Sequence, residues 1–93
     1  MQTKILMRLR HLILHSQYIV TVHAYDEMAA DDLTVWDVES VFLTGEVVER
    51  QKDAKTSESK YRVRGKSLDN INAEVIAKIS VTGKVVIITV YAL

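Results

Sequence analysis

The residues best suited to chemistry in this chain are basic, and most of them lie close together. Seven lysines and arginines fall within residues 50–66, where only Asp53 and Glu58 oppose them. A local positive patch attracts a polyanion even in a chain whose formal net charge is zero. The patch therefore indicates RNA, held through its phosphates, as a candidate ligand. The seven residues are Arg50, Lys52, Lys55, Lys60, Arg62, Arg64 and Lys66.

Part of this patch has the spacing of one face of a β-strand. Lys60, Arg62 and Arg64 alternate with apolar residues, so their side chains point the same way if the segment is extended. Lys78 and Tyr91 lie on later predicted strands and could share that face. The alternative is an ordinary solvated sheet surface, since strands often expose lysine and arginine.

Histidines and carboxylates supply further candidates. His23 could act in acid–base chemistry because the unperturbed pKa of histidine is near neutrality. It stands where a helix is expected to begin, so its ring could instead bond neighbouring backbone. Glu27 could act as a base or simply be solvated. His11 and His15 have the i, i+4 spacing of metal ligands, but the sequence offers no third ligand and no Cys, so we predict neither a metal site nor a cofactor.

The first half of the chain has helical spacing. Apolar residues recur with the helical period and predict helices over residues 5–14, over residues 23–31 and from Thr34 to Thr44. Thr34 and Asp37 form a capping-box pattern, and Gly45 is a natural residue to follow a helix. The β-branched residues 19–22 fit either a short edge strand or an extended connector.

The second half of the chain has strand spacing. Strands are predicted over residues 46–51, 60–64, 74–81 and 85–91. A chain of 93 residues is one domain, so we expect an α+β fold with the helices on one face of an antiparallel four-stranded meander. The residues predicted to be mostly buried are Val38, Val41, Phe42, Val75, Ile79, Val86, Ile88 and Val90.

Several motifs along the chain carry a family resemblance. They are Tyr18-x-x-Thr21-x-His23-Ala24, Met28, Asp37-Val38-Glu39, Gly45-Glu46-Val47-Val48-Glu49, Tyr61-Arg62-Val63-Arg64-Gly65-Lys66 and Ile87-Ile88-Thr89-Val90-Tyr91. They resemble a widespread prokaryotic domain of unknown function, which is distantly similar to the RelE-like toxins, especially the MqsR-like mRNA interferases. The resemblance implies a single RelE/MqsR-like α+β domain over residues 1–93. It also implies a metal-independent mRNA endoribonuclease of a toxin–antitoxin pair, partnered by an antitoxin with a YgiT-type zinc-binding domain.

The same resemblance suggests roles for individual residues. RNA cleavage of this type needs proton removal from a ribose 2′-hydroxyl, a cation at the scissile phosphate and a proton for the leaving oxygen. The implied catalytic residues are His23, Arg62, Lys78 and Tyr91. The implied RNA-binding residues are Lys60, Arg64 and Lys66. The chain departs from the family where arginines commonly follow the His-Ala pair, because it has the acidic residues Asp26, Glu27, Asp31 and Asp32 there.

Two other functions fit the same sequence. A non-catalytic module could use the basic face to hold RNA or an acidic protein, and a homo-oligomer such as a dimer could form through a sheet edge. Arg8, Arg10 and His11 interrupt the apolar segment 5–14, so we predict neither a membrane span nor a signal peptide. Together with the absence of Cys, this favours a cytoplasmic protein.

Overall fold

The computed structural model describes residues 3–93 and places three helices before Gly45 and four strands after it, as predicted. A further short strand lies between the first two helices. None of the helices within residues 3–93 has the length and apolar composition that a membrane span needs. In chain order the elements are α1 (Thr3–Leu14), β1 (Tyr18–Val20), α2 (Val22–Ala30), α3 (Val35–Thr44), β2 (Glu46–Lys52), β3 (Ser59–Lys66), β4 (Asn72–Ile79) and β5 (Val85–Ala92).

The α+β class is confirmed, but the expected four-stranded antiparallel sheet is wrong in one respect. Strands β2 to β5 form the predicted antiparallel meander, and β1 adds a fifth strand parallel to β5, giving the order β1-β5-β4-β3-β2. Tyr18 pairs with Val85 and Val20 with Ile87. The β-branched segment after α1 is therefore a strand, because the free edge of β5 supplies its hydrogen-bonding partners.

The helices and one face of the sheet enclose a single hydrophobic core. A bulge makes Ile88 the extra residue of β5, since Ile76 pairs with Thr89 and Ala77 with Ile87. Val86 and Ile88 are therefore only partly buried and do not pack against the core as predicted, and Ile87 is buried there instead. Ile79 is only partly buried. The other predicted core residues are buried, namely Val38, Val41, Phe42, Val75 and Val90.

Both ends of α3 are tied to other elements. At its start Thr34 and Asp37 form the predicted capping box, and the buried carboxylate of Asp37 also accepts the backbone N–H of Leu68 at 3.0 Å. At its end the Arg10 guanidinium of α1 donates to the carbonyl oxygens of Phe42 at 2.6 Å and Gly45 at 2.9 Å. These carbonyls have no partner within the helix, so Arg10 replaces water there.

Two glycines allow the end of α3 to lie directly on the backbone of β3. A Cβ on Gly45 would lie 2.1 Å from the carbonyl oxygen of Arg64, and a Cβ on Gly65 would lie 2.3 Å from that of Val41. Gly45 ends α3 as predicted and donates its N–H to the carbonyl oxygen of Val41, but its backbone is extended, with φ of −103°, rather than left-handed. Glycine is needed at this position because any side chain would collide with the backbone of β3.

The acidic helix α2 protects part of the edge of β5. Beyond the short strand β1, the carboxylate of Glu27 accepts the backbone N–H of Val90 at 3.0 Å, and that of Asp31 accepts the N–H of Ala92 at 2.8 Å. The i, i+4 spacing of these carboxylates on the helix matches the i, i+2 spacing of the two N–H groups on the strand. These acidic residues therefore accept the hydrogen bonds of backbone N–H groups at a sheet edge that would otherwise be open to strand addition.

Candidate functional site

The face of the sheet turned away from the core carries most of the predicted site residues. Arg62 and Arg64 on β3 alternate with the buried residues Val63 and Gly65 and so point to this open face. Strand register places Arg64 beside Glu74, and Glu74 beside Tyr91. Lys60 and Lys78 pair in the same way farther along these strands. The structure therefore brings together Arg62, Arg64 and Tyr91, with Lys60 and Lys78 on the same face.

Five side chains join into what we call the Glu74 cluster: Glu49, Arg62, Arg64, Glu74 and Tyr91. Glu74 is the centre and is only 1% exposed. Arg62 donates through Nη1 to both of its oxygens, at 3.2 and 3.0 Å, and Arg64 donates through Nε at 2.6 Å. The Tyr91 hydroxyl donates to Glu74 Oε1, and Arg62 Nε donates to Glu49 at 3.0 Å.

The carboxylate of Glu74 has no spare capacity as an acceptor. It receives four hydrogen-bond contacts, and a carboxylate offers about four lone-pair sites. Burial by itself raises the pKa of Glu74, but the donors from Tyr91, Arg64 and Arg62 outweigh it, so this pKa is lowered from its usual value. The hydrogen bond to Glu74 also raises the pKa of Tyr91. Glu74 is therefore an ionised carboxylate that positions the guanidinium groups of Arg62 and Arg64.

Carboxylates offset much of the positive charge on this face of the sheet. Lys78 Nζ lies 2.7 Å from Glu58, and Arg62 lies between Glu49 and Glu74. Within the part of the chain that the structure describes, Lys60 and Lys66 have no such ion pair. Arg64 contacts Glu74 through Nε, and its side chain remains 51% exposed. The charge available to a ligand is therefore concentrated in a few donors and is smaller than the count of basic residues indicates.

The structure places His23 away from the Glu74 cluster. It lies in the first turn of α2, exposed to solvent, with Nε2 3.3 Å from Glu27 Oε1. That same oxygen accepts the N–H of Val90. The ring thus contacts a neighbouring side chain rather than backbone, and no contact given by the structure links it to Arg62 or Tyr91.

The other histidine pair is local to α1. The rings of His11 and His15 lie 4.3 Å apart between centroids, and His15 Nδ1 is 2.8 Å from the carbonyl oxygen of His11. Among residues 3–93, no group of three or more His, Asp or Glu side chains is placed to hold a metal ion.

A cleft opens beside the Glu74 cluster, at the end of the sheet where β2 begins and β3 ends. Its volume is about 260 Å³. It is lined by Thr44, Gly45, Glu46, Arg64, Gly65, Lys66 and Asn72. Two of the predicted RNA-binding residues, Arg64 and Lys66, therefore face a concave surface, whereas Lys60 lies at the opposite end of β3.

A second groove, of about 310 Å³, lies on the helical side of the molecule. It runs between α3 and the loop after β3, and its apolar surface comes from Trp36, Leu43 and Leu68. Trp36 is 67% exposed, so it is not part of the core.

Sequence reasoning missed Glu74 as a site residue, together with Glu49. The available signal was the alternation of residues 74–79, which places Glu74 on the same face as Lys78. A glutamate between two apolar residues of a predicted strand needs cationic partners if it is buried. The neighbouring strand offers Arg62 and Arg64 at the spacing required.

The family model described as a domain of unknown function, DUF4258, matches residues 20–92. The chain belongs to this family. The match spans α2, α3 and strands β2 to β5, and it includes every residue of the Glu74 cluster and of the cleft. No curated protein and no solved structure matches this DUF4258 chain.

Proposed function

We propose that this DUF4258 domain binds RNA on the open face of its sheet. The observation that carries the proposal is Arg64, whose guanidinium is held in a fixed position by the saturated, buried carboxylate of Glu74. A guanidinium whose orientation is already set loses less conformational freedom when it binds a phosphate. Arg64 is the main contact, because it is held through Nε while half of its side chain remains exposed.

The spacing along β3 supports a single-stranded ligand. Lys60, Arg62, Arg64 and Lys66 occupy alternate positions on one face, so their Cα atoms are about 6.8 Å apart. Successive phosphates of an extended nucleotide chain have a comparable spacing. Because Arg62 is fully engaged with two glutamates, the contacts come from the remaining three residues.

RNA cleavage is a second candidate function, favoured by the position of the Glu74 carboxylate beside the arginines. A phosphate that replaced Glu74 as the partner of Arg64 would free a lone pair on Glu74 Oε2. The carboxylate could then take the proton of the 2′-hydroxyl as that oxygen bonds to phosphorus. The bond to the 5′-oxygen would break, and this oxygen would take a proton from water. The products would be a 2′,3′-cyclic phosphate and a 5′-hydroxyl.

The cellular context follows from the resemblance to RelE-like and MqsR-like toxins. A toxin of this kind acts in the cytoplasm and is neutralised by an antitoxin, here one with a YgiT-type zinc-binding domain. Inducible expression of the domain, with and without the protein encoded beside it, tests this context. Growth arrest relieved by the neighbouring protein would support it, whereas normal growth in both cases would contradict it.

The binding experiment uses single-stranded RNA over a range of salt concentrations. Three phosphate contacts give a slope of log K against log salt of about −2. Arg64→Gln should flatten this slope by about 0.7, while Lys4→Gln, the same loss of charge on α1, should leave it unchanged. Cleavage is measured in the same samples, with EDTA present. Failure of the wild-type domain to bind RNA, or identical slopes in both variants, would refute the proposal.

A further inference from the structure

The cleft beside Arg64 contains more than phosphate-binding groups. Strand register places Glu46 directly opposite Arg64, so its carboxylate lies on the same face and at the mouth of the cleft. Glu46 is exposed, and among residues 3–93 its side chain has no hydrogen-bond or ion-pair partner. A carboxylate here weakens the attraction for a bare phosphate, so a simple anion site would be better without it.

We propose that this cleft is a nucleotide subsite in which Arg64 and Lys66 hold a phosphate and Glu46 accepts the 2′-hydroxyl of the attached ribose. The inference rests on the proposed RNA binding and adds selection of RNA over DNA. The 2′-hydroxyl is the donor that distinguishes the two nucleic acids. Asn72, paired with Lys66 across β3 and β4, supplies an amide at the same end of the sheet.

The size of the cleft agrees with this assignment. Pockets for drug-sized molecules measure roughly 300–1,000 Å³. The cleft measures about 260 Å³, enough for a phosphate and its sugar but small for a whole nucleotide with an enclosed base. The subsite therefore contacts the sugar–phosphate backbone of the nucleic acid. It discriminates RNA from DNA without selecting a base sequence.

The test compares RNA and DNA oligonucleotides of the same sequence by fluorescence anisotropy. The wild-type domain should bind RNA more tightly by about 2- to 12-fold, the range that one hydrogen bond supplies. Glu46→Ala should abolish this preference, because the acceptor for the 2′-hydroxyl is lost, whereas the relief of repulsion acts on RNA and DNA phosphates alike. Lys66→Gln should weaken the binding of RNA and of DNA equally. Lys60→Gln, outside the cleft, should leave the preference for RNA intact.

The outcomes separate this inference from the proposed function. If the wild-type domain binds neither nucleic acid, the proposed RNA binding itself fails. If it binds RNA and Glu46→Ala keeps the wild-type preference, the nucleotide subsite is refuted while RNA binding stands. Because Glu46 is exposed, Glu46→Ala should leave the domain folded, and thermal unfolding of the variant checks this.

Discussion

Replacing Glu74 by glutamine removes the charge at the centre of the Glu74 cluster while keeping the shape of the side chain. Removing one partner of a buried ion pair costs about 3–5 kcal/mol, because the other charge is left without compensation. Arg62 and Arg64 are 28% and 51% exposed, so water can solvate them in the variant. Glutamine also keeps one carbonyl acceptor. We therefore expect Glu74→Gln to lower the free energy of unfolding by about 2–3 kcal/mol at neutral pH.

This loss is large for a domain of 93 residues, whose free energy of unfolding should be about 5–14 kcal/mol. The melting temperature should fall by roughly 10–20 °C, because 1 kcal/mol corresponds to several degrees at this size. Urea unfolding followed by circular dichroism measures the difference. Glu46→Gln, an exposed glutamate on the same face, is the matched control and should change stability by less than about 0.5 kcal/mol.

The pH dependence gives a sharper test of the same reasoning. The pKa of Glu74 in the folded protein lies below its ordinary value of 4.5, so its stabilising contribution is present above that value. The contribution is lost as the pH falls through the folded pKa. The difference between wild type and Glu74→Gln should therefore shrink as the medium becomes acidic. A difference below about 1 kcal/mol at neutral pH, or one that is unchanged near pH 3, would refute the reasoning.

Three further predictions concern the core, the helix–sheet contact and the alkaline limit. Phe42→Ala should cost about 3–5 kcal/mol in urea unfolding because Phe42 is completely buried, and a loss below about 1 kcal/mol would contradict this packing. Gly65→Ala should destabilise the domain by at least about 2 kcal/mol, since the new methyl would meet the carbonyl oxygen of Val41, and an unchanged melting temperature would contradict that contact. Burial and the hydrogen bond to Glu39 raise the pKa of Tyr18 from 10 to about 12, so wild-type stability should fall as the pH rises through this range. Tyr18→Phe should lose less stability between the same two pH values, and parallel curves for the two proteins would contradict the assignment.

The period of the apolar residues was enough to predict the helices and the four later strands. The capping box of Thr34 and Asp37 was also readable, because a cap depends on residues three positions apart. The motifs along residues 18–91 indicated a domain family of unknown function, and the match over residues 20–92 confirms it. Alternation placed Arg62 and Arg64 on one face of a strand, and the structure has them there. These features depend on local spacing, which a sequence displays directly.

Contacts between distant segments were decided only by the tertiary structure. The parallel pairing of β1 with β5 joins residues far apart in the chain, and the bulge at Ile88 reverses which residues of β5 face the core. The ion-pair partners of the basic residues were also decided by the tertiary structure. The basic residues of β3 looked free in the sequence, but register brings Glu74 to Arg62 and Arg64 and buries it between them. Periodicity assigns a side chain to a face, whereas its partners depend on which strands become neighbours and in what register.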